Sequence, residues 1–127
     1  MNVTPGYAAI LALIFVAISV RTLRLRGKLR IGVGDGGNPV MLRAMRVHSN
    51  FAEYVPIALL LMFFAESLGT KPWMMHALGI ALVIGRCSHA YGVSQVKENY
   101  RFRVLGMSLT FAVIVVASLN LLASIRW

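Results

Sequence analysis

The sequence predicts an all-α integral membrane protein, a four-helix bundle built as one domain. Two features of composition and one of arrangement predict it. Of 127 residues, 58% are hydrophobic and only 13% charged, with a mean hydropathy of +0.74. Soluble domains run at about 45–50% apolar and about 25% charged. The apolar residues fall into long runs separated by short polar connections, and a chain of this length holds about four spans of roughly 20 residues. No repeat or low-complexity segment is visible, and no length is left for a separate soluble module.

The first span is read at about residues 5–25, an apolar run closed by Arg21. The segment "MNVTPGYAAILALIFVAISV" lacks a basic leader and a small-residue cleavage site, so it reads as a retained span rather than a signal peptide. In the connection that follows, "GVGDGG" signals a turn, because Gly and Asp adopt backbone angles that other residues avoid. It is not a phosphate loop, since no GK[ST] follows and no strand precedes it. The second span is read at about residues 39–68, with its helix starting near Asn38 or Pro39. Pro56 cannot donate to the carbonyl four residues back, which predicts a kink there. The third span, about residues 72–96, is interrupted by Arg86, Ser88 and His89. The fourth, about residues 103–126, is the cleanest, with Trp127 as an interfacial anchor.

The net charge is +9. In a soluble chain that would point to nucleic acid; here the cations sit between apolar runs, which points to membrane lipids instead. Arg21, Arg24, Arg26, Lys28, Arg30, Arg43 and Arg46 flank the first connection, and Lys97, Arg101 and Arg103 the third. The second connection has only Lys71, and the chain ends only Arg126. The positive-inside rule then places both basic connections in the cytoplasm and both termini outside it. Cys87 is the only cysteine, so no internal disulfide forms. Its apolar run predicts a buried, inert thiol.

The second span opens on "RAMRVHSNFAEYVP". At about 100° per residue, with Arg43 as origin, Arg46 falls at about 300°, Asn50 at about 340°, Glu53 at about 280° and Tyr54 at about 20°. These five make one polar stripe. Arg43 and Arg46 lie near the interface, where snorkelling explains them. A charge at mid-span costs roughly 2.5–3.5 kcal/mol on insertion scales, so Glu53 needs a partner, and Arg86 stands at matching depth. Intramembrane ionisable groups of this kind mark functional sites by default, with a structural ion-pair network as the other reading. On the third span, "GRCSHAYG" puts Arg86 and His89 three residues apart on one face. No second histidine or carboxylate accompanies His89 at helical spacing in this span, so no metal site is expected.

The second-span segment resembles the second-helix motif of the MAPEG family, the membrane-associated proteins of eicosanoid and glutathione metabolism. That motif is an Arg, an Asn four residues later, a Glu three further and a Pro three beyond. Arg46, Asn50, Glu53 and Pro56 match it, and Tyr54 matches a frequent addition. Arg86 and His89 match the family's third-helix segment, while "GDGG" and "GMS" are similar to its small bacterial branch.

The resemblance implies a homotrimer in a bacterial inner membrane, with glutathione as co-substrate held between neighbouring subunits near the cytoplasmic side. Carried over, Arg43, Arg46, Asn50, Glu53 and Tyr54 would bind the tripeptide, Glu53 receiving its ammonium and the arginines its carboxylates. Arg86 and His89 would join from the third helix and Arg26 from the first connection. The thiol-activating arginine would be Arg103, with Arg101 as its rival. Val93 stands where many relatives carry a tyrosine, and Tyr91 falls on another face, so no eicosanoid specificity is implied.

Elementary chemistry agrees with that assignment. Glutathione carries two carboxylates and one ammonium, so its site needs an excess of cations. An arginine fork binds carboxylate bidentately, as lysine does not. A guanidinium facing sulfur stabilises thiolate, the actual nucleophile. The expected activity is glutathione transfer to, or reduction of, lipophilic electrophiles. The other readings are a non-enzymatic lipid- or thiol-binding pocket, and a small transporter using Glu53 as a proton site. The last is disfavoured because no internal symmetry is visible.

Overall fold

The computed structural model describes residues 3–125, which form four helices: α1 (Thr4–Leu29), α2 (Pro39–Ser67), α3 (Pro72–Ser94) and α4 (Tyr100–Ser124). Local sequence explains where each begins. Proline stands in the first turn of α1, α2 and α3, where its missing N–H is not needed. The Asn38 side chain accepts from the Val40 and Met41 N–H groups, and Asn99 from that of Arg101. Both are short polar caps satisfying orphan donors. The start of α1 is capped from another helix, since the Glu66 carboxylate at the end of α2 accepts from the N–H groups of Val3 and Thr4. Between α1 and α2 the chain turns through Gly34, Gly36 and Gly37, all with positive φ. α2 stays helical through Pro56 to Ser67.

The contacts sort the helix ends into two groups. Val3 and Thr4 meet Glu66, and Asn120 donates to Thr70 at 2.6 Å. At the opposite end Arg21 donates to Ser94 at 2.6 Å and Arg43 to Glu98 at 2.9 Å. The helices therefore alternate in direction, and the α1–α2 and α3–α4 connections share one end, as the charge pattern requires.

α1, α2 and α4 are each long and apolar enough to cross a membrane. α3 differs, because Arg86, Ser88 and His89 dilute its apolar run. Its 23 residues still extend about 34 Å at about 1.5 Å per residue, enough for a hydrocarbon core of roughly 30 Å. A thin core runs between the helices through Leu11, Val47, Phe51, Met62, Met75, Leu82 and Val113. Leu13, Phe63, Trp73, Ile84, Val115 and Leu119 point outward instead, which hydrocarbon permits and water would not. Cys87 is on that outer surface too, contrary to the buried thiol expected from its apolar neighbours. An apolar run says nothing about which face a residue takes when the outside is itself apolar.

α3 and α4 pack backbone against backbone at two glycines. A Cβ on Gly106 would lie 2.6 Å from the Gly85 carbonyl oxygen and from the backbone nitrogen of His89. A Cβ on Gly92 would lie 2.9 Å from the backbone nitrogen of Arg103. Backbone-to-backbone contact of this kind is how helices gain van der Waals attraction where lipid offers no hydrophobic drive. It also sets His89 and Arg103, on two different helices, beside each other.

Candidate functional site

The polar stripe of α2 lies on two faces of the subunit, not one. Arg43, Asn50 and Tyr54, on one side of the predicted arc, turn toward α3 and α4. Glu53, at the other end of the arc, is exposed on the outside of the subunit, while Arg46 beside it is exposed yet reaches the cavity that Arg43 and Asn50 line. No hydrogen bond or ion pair to the Glu53 carboxylate is found among the described residues. The expected Glu53–Arg86 pair therefore does not form within the chain, because the two side chains leave α2 and α3 on different sides.

Arg86 is 1% exposed, the largest fully buried side chain of the bundle. Its Nη1 donates to the Asn50 side-chain oxygen at 2.7 Å, and its Nη2 lies 3.6 Å from the Met107 sulfur on α4. Its Cζ stands 6.0 Å from the centre of the Tyr54 ring, and Tyr54 in turn meets Phe111 edge-on at 5.5 Å. The Nε has no partner. A buried cation is thus held by an amide, a sulfur and a π face, with no carboxylate against it among the described residues. One guanidinium ties α2, α3 and α4 together at this level.

Above Arg86, toward the basic end, lies a cavity of about 280 Å³ lined by Pro39, Leu42, Arg43, Arg46, Asn50, His89, Val93, Glu98 and Arg103. Five of the residues expected from the sequence meet here: Arg43, Arg46, Asn50, His89 and Arg103. Arg26 does not; its Nη1 donates to the Gly34 carbonyl at 2.9 Å and ties down the α1–α2 turn. Arg101 is exposed and outside the cavity, one helix face away from Arg103. Tyr54 and Arg86 support the floor without lining it. Val93 lines the wall, and Tyr91 faces outward against Phe102 at 5.1 Å.

Glu98, in the α3–α4 connection, was not expected. Its Oε2 accepts from Arg43 Nη1 at 2.9 Å and its Oε1 lies 3.5 Å from Arg103 Nη1. The Glu98 side chain is 5% exposed, against 26% for Arg43 and 52% for Arg103. Arg43 also donates to the Val93 carbonyl at 3.1 Å. The signal that could have found Glu98 is scarcity: it is one of four acidic residues in a chain with 13 Lys and Arg, and it lies amid the cations of the third connection.

Chemically, the cavity is a cationic cradle with apolar contributions from Pro39, Leu42 and Val93, suited to an anion bearing hydrogen-bond acceptors. Ligand pockets usually run to roughly 300–1,000 Å³, so one subunit falls just short of that range, with Arg46 and Arg103 at an open mouth.

Known proteins agree with this organisation. The chain is similar to inner membrane protein YecN of Escherichia coli strain K12, at 39% identity over 125 residues, covering 98% of this chain and 94% of that protein. The protein of the same name from Escherichia coli O6:H1 strain CFT073 matches equally. With three helices apolar enough to span a bilayer, the chain is an integral protein of the inner membrane. The MAPEG family model matches residues 4–123, nearly the whole of the four-helix bundle, and the chain belongs to the MAPEG family.

Proposed function

We propose that the protein binds glutathione in the cavity between α2, α3 and the start of α4, and conjugates it through its thiol to lipophilic electrophiles dissolved in the bilayer. The observation that carries this reading is the convergence of Arg43, Arg46 and Arg103 with Asn50 and His89 on one cavity. Cations exceed anions there, as a dicarboxylate with one ammonium requires. Membership of a family that includes glutathione transferases supports it.

In this reading Arg43 and Arg46 take the ligand's carboxylates and Asn50 orients its backbone. Arg103, on the first turn of α4 and lining the cavity, faces the sulfur; Arg101 lies outside it. The guanidinium favours ionisation of the thiol, whose proton leaves to solvent. The thiolate then attacks an electrophilic carbon, forming a C–S bond as the leaving group departs with its electron pair. The apolar outer surfaces of α1 and α4 put lipid-dissolved electrophiles within reach.

The cavity is small for a tripeptide, Arg46 stands at its open mouth, and Glu53 faces out of the subunit. These features favour a homotrimer whose sites are completed by a neighbour, where Glu53 finds the cation or ammonium that its own chain does not give it. The charge asymmetry of the connections favours a cytoplasmic cavity and non-cytoplasmic termini. A second reading, a pocket without turnover held by structural ion pairs, is favoured by the Arg43–Glu98–Arg103 contacts. Titrating the detergent-solubilised protein with glutathione while following ultraviolet thiolate absorbance separates them: a thiolate signal supports catalysis, and binding without one supports the second reading.

A further inference from the structure

Glu98 is the one carboxylate lining a cavity whose other ionisable groups are Arg43, Arg46, His89 and Arg103. Two arginines converge on it, and its side chain is more deeply buried than either. Its Oε1 has no hydrogen-bond partner, its approach to Arg103 being electrostatic only. Glu98 therefore sits where a ligand's carboxylate would gain the Arg43 fork. It is carried by the non-helical connection between α3 and α4 rather than by a packed helix, so withdrawing it leaves the bundle's helix contacts in place.

We propose that Glu98 is a resident counter-anion that sets the specificity of this cavity: a ligand binds by replacing the Glu98 carboxylate on Arg43 with one of its own. Two carboxylates crowded into a poorly hydrated cavity repel each other, so an anionic ligand and the inward Glu98 exclude one another. A thiol lacking a carboxylate gains nothing by displacing Glu98 and meets arginines already paired. The cavity thereby rejects thiols without a carboxylate, while Arg43 keeps a counter-charge between ligands. This inference rests on the glutathione reading above, and its test is arranged to fail separately from it.

The test is calorimetric titration of the detergent-solubilised full chain with glutathione and with glutathione diethyl ester, whose carboxylates are masked. Glu98→Gln keeps an oxygen for Arg43 but is neutral, and Glu98→Ala removes the competitor altogether. Both substitutions should strengthen glutathione binding by up to about fivefold, the scale of one part-exposed ion pair, while giving no gain for the diester, whose one remaining charge is its ammonium. Equal or weaker glutathione binding in both variants overturns the proposal and makes Glu98 a holder of Arg43 and Arg103 instead. An equal gain for the diester also overturns it, since the effect would then be one of space. Failure of the wild-type chain to bind glutathione at all removes the ligand reading, a result distinct from binding that Glu98 does not influence.

Discussion

The Arg86 guanidinium on α3 donates to the Asn50 side-chain oxygen on α2 at 2.7 Å, and this is the shortest polar contact made by the bundle's most buried cation. A charge so placed is stable only while its acceptors remain, because the alternative is an unpaired ion in hydrocarbon. Asn50 therefore has two duties: it holds Arg86 from above and lines the cavity from below. Asn50→Ala is expected to destabilise the solubilised protein by about 1–3 kcal/mol, the usual cost of stranding a buried donor, read as a lower thermal midpoint. Asn50→Asp should restore stability by giving Arg86 a counter-charge, yet weaken binding of any anionic ligand.

The α3–α4 contact makes a sharper steric prediction. Gly106→Ala sets a methyl 2.6 Å from the Gly85 carbonyl oxygen and the His89 backbone, so the helices must part. Overpacking of this kind costs about 1–3 kcal/mol. Gly6→Ala, with nothing within 4 Å of the new Cβ, serves as the control and should leave the thermal midpoint unchanged.

Assembly follows from the outward charges. Glu53 and Arg46 are exposed on a helix that otherwise faces apolar surroundings. A homotrimer is expected when the detergent-stripped particle is weighed by native mass spectrometry. A monomer would leave Glu53 facing lipid and would contradict inter-subunit sites.

Arg46→Ala and Glu53→Ala are expected to weaken glutathione binding by about tenfold or more, since each removes one member of a charge pair to the peptide's ends. Calorimetry reads this directly. Unchanged affinity in both would shift recognition to Arg43 and Arg103.

Much of the fold was legible because the bilayer imposes it. Four apolar runs need four helices, and Asn38 and Pro39 mark the start of α2, whereas α4 begins at Tyr100, ahead of the apolar run. The helical wheel correctly gathered Arg43, Asn50 and Tyr54 on one face, but an arc of about 100° is wide enough to straddle a buried and an exposed side. That is why Glu53 parted from Arg86. Glu98 was missed because its partners, Arg43 and Arg103, are brought to it by two helices, and periodicity within one helix does not see such a meeting. The same tertiary closure separates Arg103 from Arg101, which sequence alone left as rivals. Arg26 was named by the family resemblance, and within the subunit its guanidinium donates to the Gly34 carbonyl of the turn.

The thiolate titration of Arg103→Ala bears most directly on the proposed chemistry. Wild-type protein should show thiolate absorbance on adding glutathione. Arg103→Ala should keep glutathione binding while losing both that absorbance and conjugation of a small aromatic electrophile, and Arg101→Ala should behave as wild type. A full thiolate signal in Arg103→Ala, or none in the wild-type chain, would contradict the assignment of this cavity to glutathione activation.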